Sequence, residues 1–282
     1  MSRTSTITVV IPTYNSARTI KACLTSAQNQ STVSSLEIIV VDGGSQDETV
    51  AMARALGVKV RTTLKNRSLQ RNHGALWASS PWVLFVDSDM ILDSGVISAC
   101  ECLIQSQPDF GVAAVIPEKS IGNTFWAKTR ALERSFYDGV WWIEAARLIK
   151  RDTLLEVGGY NERLGEVGGE DADLDTRLRA VGKVGRVENA LIYHDESRMG
   201  FGKLYRKKRA YGPSASGMFE SRNAARTSRQ LSLIPRLWLF LRAPSKIFRH
   251  PILFCGVLTI GMIEYYVLWQ HRYLRKKHKK SG

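Results

Sequence analysis

The chain of 282 residues is long enough for one large α/β domain, or a domain with an appendage, and its 44% hydrophobic and 23% charged content excludes collagen-like, low-complexity and polytopic membrane classes. Its 40 Lys and Arg against 26 Asp and Glu give a net charge of +14, unevenly spread. Residues 198–282 hold 19 basic and two acidic residues, a net of +17, while residues 1–197 carry −3, so a mildly acidic body and a strongly basic tail face different partners.

Apolar runs bounded by turn residues recur at 6–11, 36–41, 58–61, 82–86 and 111–116, and helix-period stretches fall between them at 17–29, 47–55, 68–78 and 94–105. Short buried runs alternating with helices predict βαβ units on a mostly parallel, Rossmann-like α/β sheet. A second block, 122–196, has weaker periodicity. The four cysteines, Cys23, Cys100, Cys102 and Cys255, show no spacing of a disulfide framework or an all-cysteine zinc site. No apolar leader precedes the first strand, so a cytoplasmic, reducing location is expected.

Ligands of such sheets bind beyond the carboxyl ends of the strands. The first strand is followed by Pro12-Thr13-Tyr14-Asn15, the second by Asp42-Gly43-Gly44-Ser45 and the fourth by Asp87-Ser88-Asp89. Two carboxylates one residue apart at a strand end can grip Mg2+ or Mn2+ through hard oxygens and leave positions for diphosphate. The bland alternative, an Asp that only caps the next helix, is weakened by Asp93 and Ser94, which lie closer to that helix. Asp42 suits two roles equally, accepting hydrogen bonds from a base or ribose, or organising a turn. Glu170-Asp171-Ala172-Asp173 opens an amphipathic helix. There the acids satisfy free N–H groups, or one of them acts as a general base. His194, after an apolar run, is structural or a metal ligand.

These segments together carry a resemblance. Val9-Val10-Ile11-Pro12-Thr13-Tyr14-Asn15, Ile39-Val40-Val41-Asp42-Gly43-Gly44-Ser45-Gln46-Asp47, Phe85-Val86-Asp87-Ser88-Asp89, Val157-Gly158-Gly159-Tyr160-Asn161-Glu162 and Gly169-Glu170-Asp171 resemble, in order and spacing, the motif set of family 2 glycosyltransferases with the GT-A fold. The resemblance covers about residues 6–196. It implies metal-dependent, inverting transfer of a sugar from a UDP- or GDP-linked donor to a hydroxyl. By that analogy Pro12, Thr13, Tyr14, Asn15, Asp42, Arg71, Asp87 and Ser88 lie on the nucleotide side. Asp89, with Asp87 and His194, would hold Mn2+ or Mg2+, and Asp171 would take the acceptor proton. Trp141, Trp142 and Glu170 fall in the acceptor region, the tryptophans as sugar-stacking rings or as core. The domain expectation is a catalytic domain at 1–200, with a nucleotide-sugar half at 1–117 and an acceptor half at 118–200, followed by a helical membrane-associating region at 201–282.

In the tail, Tyr205-Arg206-Lys207-Lys208-Arg209-Ala210-Tyr211-Gly212 is densely basic, and Arg222, Arg226 and Arg229 continue it at helical spacings. Residues 231–248 mix Trp238, Leu239, Phe240 and Leu241 with Arg236, Arg242 and Lys246, the makeup of a helix lying in a membrane interface, so an anionic membrane and not nucleic acid is the expected partner. Residues 252–269 are predominantly apolar with Glu264 the one charge, and basic residues flank both ends. A hairpin or shallow re-entrant segment on the cytoplasmic face is therefore expected over a single span. A helix packed on the catalytic domain is the soluble alternative. The expected acceptor is a lipid-linked or cell-surface glycan. A polyprenyl-phosphate sugar synthase of the same fold, and a non-catalytic binder of anionic lipid or RNA, are the rival functions.

Overall fold

Residues of the first strands point alternately to two apolar faces, and both faces demand cover. The computed structural model describes residues 6–32, 36–107, 109–167, 169–218 and 233–278, so Gly168, Arg222, Arg226 and Arg229 lie outside the described residues. Side chains beyond Gln270, Arg275–Lys280 among them, are likewise outside. In it β1 (Ile7–Thr13), β2 (Glu37–Asp42), β3 (Lys59–Thr62) and β4 (Trp82–Phe85) run parallel in the order β3-β2-β1-β4. Val9, Ile11, Val40, Leu84 and Val86 pack on one side with α1 (Ile20–Gln28), α2 (Thr49–Ala55) and α4 (Val96–Ser106). Val10, Ile39, Val41, Val83 and Phe85 pack on the other with α3 (Arg67–Trp77), α6 (Arg151–Glu156) and α7 (Glu170–Val181). α3 lies very close to β1, because a Cβ at Gly74 would stand 2.2 Å from a Val10 methyl.

The five apolar runs and four helical stretches expected from the sequence become β1–β4, β6 (Ala113–Val115) and α1–α4. The sheet then departs from the simple pattern. β8 (Ala146–Lys150) inserts antiparallel between β4 and β6, and β9 (Val184–Arg186) closes the edge parallel to β6. A second sheet, ordered β5-β10-β7, is built from β5 (Met90–Leu92), β7 (Glu118–Ile121) and β10 (Ile192–Asp195). These strands span three or four residues, too few for a readable alternation. The sheet is mixed α/β and mostly parallel, as expected.

The chain divides into two compact units. The first comprises Met1–Lys119, Ala145–Glu166 and Asp173–Asp195. The second comprises Ser120–Glu144, Val167–Ala172 and Glu196–Gly282, and contains α5 (Phe125–Ser135), α8 (Phe201–Met218), α9 (Leu233–Leu241), α10 (Pro244–Arg249) and α11 (Pro251–His278). Within it Leu132 and Phe136 of α5 pack with Phe240 of α9 and Val257 of α11, and the Phe136 and Phe240 rings meet edge to face at 4.9 Å.

Candidate active site

The carboxyl ends of β1, β2 and β4 lie side by side in the first unit, which brings Thr13, Asp42 and Asp87 to one sheet edge. The buried Asp42 carboxylate accepts from Thr13 Oγ1 at 2.9 Å, from the Gly44 and Ser45 backbone N–H groups at 2.9 and 2.8 Å, and from Ser45 Oγ at 2.6 Å. Of its two sequence readings, the loop-organising one is therefore the geometry observed. Gln70, also buried, donates from Nε2 to the carbonyls of Thr13 and Val41 at 2.7 Å each, tying the ends of β1 and β2 to α3. Asn15 sits in the left-handed region with φ 48°. Its backbone N–H donates to Ser45 Oγ at 2.8 Å and its Oδ1 accepts from Gln46 N–H at 2.9 Å, which joins the two loops. Tyr14 is left exposed, with the Lys65 ammonium 4.3 Å from its ring centre.

Asp87 is held differently. Arg71 of α3, fully buried, donates from Nη2 to Asp87 Oδ1 at 2.6 Å, and its guanidinium stacks 4.9 Å above the Tyr160 ring. Arg147 of β8 places Nη1 3.4 Å from Asp87 Oδ2 and donates from Nε to Glu118 Oε1 at 2.8 Å. The other Glu118 oxygen lies 2.7 Å from His194 Nε2. Burial alone would raise the Asp87 carboxyl, but the positive charges of Arg71, Arg147 and Arg67 overcome it and hold the group far below the usual carboxylate range. Neither Arg147 nor Glu118 was singled out by sequence reasoning. Both reach the site from strands that no motif marks, and only the antiparallel insertion of β8 makes them neighbours of Asp87.

Asp89, two residues on, contrasts with Asp87. It is half-buried and its carboxylate makes no hydrogen bond or ion pair among the described residues, while its carbonyl accepts from Asp195 N–H at 2.8 Å. His194 is the register partner of Met90, so it flanks this position from β10. Ser88 Oγ shares a hydrogen bond of 2.8 Å with Ser16 Oγ, and Arg18 pairs with Asp195 at 2.6 Å. No three His, Cys, Asp or Glu side chains converge as a metal cage among the described residues. What is present is one open carboxylate, on the residue that precedes the register partner of His194, and an imidazole held by Glu118. That donor set fits a hard divalent cation completed by diphosphate oxygens, with Asp87 committed to guanidinium groups.

The segment Val157–Glu162 is pinned from two sides. Asn72 accepts from Tyr160 N–H at 2.7 Å and donates to the Tyr160 carbonyl at 2.9 Å. Arg177 donates to the carbonyls of Val157 and Gly159 at 2.7 Å each. Gly159 has φ 65°, and a Cβ there would meet Asn72 Oδ1 at 2.5 Å. In the second unit Glu170 is buried and Asp171 half-buried in the first turn of α7. Trp142 is buried, 8% exposed, and Trp141 is 46% exposed.

The sequence profile described as Glycosyl transferase family 2 matches residues 8–160. The chain belongs to that family. A PGL/p-HBAD biosynthesis glycosyltransferase of Mycobacterium bovis (strain BCG / Pasteur 1173P2) is 36% identical over 88 residues, 29% of this chain and 34% of that protein. The uncharacterized glycosyltransferase YibD of Escherichia coli K12 is 32% identical over 95 residues, 32% of this chain and 27% of YibD. The chain thus spans about a third of the length of the mycobacterial relative it matches. Among solved structures, the mannosyltransferase PcManGT from Pyrobaculum calidifontis, in complex with GDP-Man and Mn2+, superposes with a TM-score of 0.60 at 16% identity, covering 93% of this chain and 85% of that one. S. aureus TarS 1–349 in complex with UDP-GlcNAc gives 0.57 at 15% identity, covering 95% and 92%. At such identities the likeness carries the fold, and the GT-A arrangement expected from the sequence is the one observed.

Proposed function

We propose that the chain is a metal-dependent inverting glycosyltransferase that moves a sugar from a UDP- or GDP-linked donor to a hydroxyl of a lipid-linked or cell-surface glycan acceptor, at the cytoplasmic face of the cell membrane. One observation carries it. At the tip of β4 two neighbouring carboxylates are treated oppositely, Asp87 clamped by two arginines and Asp89 left open, as a site for a nucleotide and a cation requires. Family membership and the nucleotide sugars bound by PcManGT and TarS support the donor class.

The residues then divide the work. Pro12, Thr13, Tyr14 and Asn15 with Asp42 line the nucleotide side, where the braced loops fix backbone groups in place and cut the entropy lost on binding. Arg71 and Arg147 keep Asp87 ionised, so that it accepts from the ribose hydroxyls alongside Ser88. Asp89, flanked by His194, would hold Mn2+ or Mg2+, which when bound offsets charge on the leaving diphosphate. Asp171 takes the proton of the acceptor hydroxyl as the acceptor oxygen attacks the anomeric carbon opposite the departing nucleoside diphosphate, and this single displacement inverts the centre. Trp141, partly exposed, stacks on the acceptor sugar, and the buried Glu170 belongs to the acceptor side.

The test is turnover of a panel of nucleotide sugars by the full-length protein with Mn2+, Mg2+ or EDTA, with calorimetric binding of the matching nucleoside diphosphates. Metal-dependent cleavage of one donor establishes the class and names the sugar. Absence of both cleavage and nucleotide binding overturns the reading in favour of a non-catalytic module.

A further inference from the structure

The C-terminal helices divide their residues between two faces more sharply than a helix packed inside a soluble protein would. Along α11, Gly256, Val257, Ile260 and Val267 are buried against the second unit's own helices, α5 and α8. Ile252, Cys255, Leu258, Met262, Tyr265, Tyr266 and Trp269 are exposed, Ile252 to 74% and Met262 to 64%. At about 100° per residue these two sets fall on opposite sides of the helix. α9 repeats the division, with Leu239 and Phe240 buried and Ile234, Leu237, Trp238 and Leu241 exposed. An exposed apolar surface spread over two helices marks an interaction site.

Charge names the occupant. Arg242, stacked 4.2 Å over Trp238, and Arg249 stand exposed on the connection between α9 and α11, and Lys203, Arg206 and Arg209 are exposed on α8. Apolar and aromatic residues beside exposed cations suit an anionic lipid surface and repel a second copy of this basic tail.

Glu264 decides the geometry. The stretch Pro251–Gln270 is long and apolar enough to cross a bilayer, with mean hydropathy 1.8. Yet Glu264, inside it, forms ion pairs with Lys208 of α8 and Arg236 of α9 on the buried side of the helix. A span would carry all three charges, and the basic α8 with them, to hydrocarbon depth. We infer that the second unit docks on an anionic bilayer as a one-sided foot, with α11 lying in the plane of the interface and its Glu264 face turned toward the protein. The inference deepens the membrane-associated part of the reading above and is independent of the chemistry at Asp89 and Asp171.

The experiment is flotation of the full chain with vesicles of 70% phosphatidylcholine and 30% phosphatidylglycerol, combined with nitroxide depth measurements at positions 252, 255, 262 and 269, the label at 255 in a Cys102→Ser background and the other three in a Cys102→Ser/Cys255→Ser background, since both of these cysteines are exposed. An in-plane helix gives equal, shallow depths at all four positions. A Leu258→Glu/Met262→Glu variant then loses at least tenfold in vesicle partitioning while keeping its melting temperature and its calorimetric affinity for nucleoside diphosphate. Position 262 deeper than 252 and 269 means a span and overturns the inference. So does absence of flotation, undiminished flotation of the variant, or a mass in light scattering showing that a second copy covers the face. Nucleotide affinity, read on the same sample, separates these failures from failure of the transferase reading.

Discussion

Arg147 reaches from the antiparallel strand β8 to within 3.4 Å of Asp87 at the tip of β4, and the same guanidinium donates to Glu118 at 2.8 Å. One buried cation therefore holds the carboxylate at the centre of the site and the one that orients His194. An Arg147→Met substitution leaves both acids a partner short in a largely desolvated place. The expected loss is about 3–5 kcal/mol of stability, read from urea unfolding at pH 7. A loss under about 1 kcal/mol, within the range of an exposed pair, would remove Arg147 from this role.

Acid sensitivity follows from the same electrostatics. Asp87 is held far below its ordinary value by its arginines. Glu37 is brought down to about 2, because hydrogen bonds from Ser79, Thr8 and Lys59 outweigh the opposing effect of burial. A depressed folded-state value means stability that is fully present above the unfolded value of about 4.3 for Glu and is lost as pH falls through the folded value. The stability gap between the native chain and Glu37→Gln should thus be widest near pH 7 and shrink between pH about 4.5 and 2. A gap independent of pH would show that the carboxylate's charge contributes nothing.

Asp89→Ala should leave folding intact, since no protein group depends on that carboxylate among the described residues. Nucleoside diphosphate affinity in Mn2+ should fall by at least tenfold, about 1.4 kcal/mol, while affinity in EDTA stays unchanged. Calorimetry on both proteins decides it, and equal affinities in Mn2+ would count against a cation at Asp89.

For Asp171→Asn the expectation is retained donor affinity with transfer slowed by about 10²–10⁴, the usual contribution of a general base. Single-turnover rates measure this. Full activity would favour an acceptor that is already an anionic phosphate, as in a polyprenyl-phosphate sugar synthase.

Two glycines provide a paired test of backbone geometry. Gly159 and Gly139 both have positive φ, 65° and 74°, but a Cβ at Gly159 meets Asn72 Oδ1 at 2.5 Å whereas one at Gly139 meets nothing within 4 Å. Each Ala substitution carries the left-handed backbone cost of about 1 kcal/mol. Gly159→Ala should add the loss of the Asn72 bridge and lower the melting temperature by several degrees more than Gly139→Ala.

Much of the nucleotide half was legible because its information is local. The strand ends at Asn15, Ser45 and Asp89 carry polar clusters directly after apolar runs, and a parallel sheet brings consecutive strand ends together. Of the Asp87 clamp the sequence marked only Arg71, as a nucleotide-side residue by resemblance, and not its pairing with Asp87. Arg147 and Glu118 come from strands paired antiparallel or in a separate sheet, where sequence separation from Asp87 says nothing about contact. Asp42 was ambiguous on paper because a carboxylate after a strand serves a ligand or its own loop equally well, and the four donors around it appear only in three dimensions. The partners of Glu264 lie 56 and 28 residues away, beyond any helical periodicity.

The way α5 is covered limits how this chain can be shortened. Leu132 and Phe136, just before the middle of the sequence, have their apolar cover supplied by Phe240 and Val257, and Ala127 has its cover from Leu204 and Ile260. A polypeptide ending near residue 200 would expose this layer to water and invite aggregation. Solubility is then better sought by placing polar residues at Leu258, Met262 and Trp238 in the complete chain than by deleting the helices that carry them.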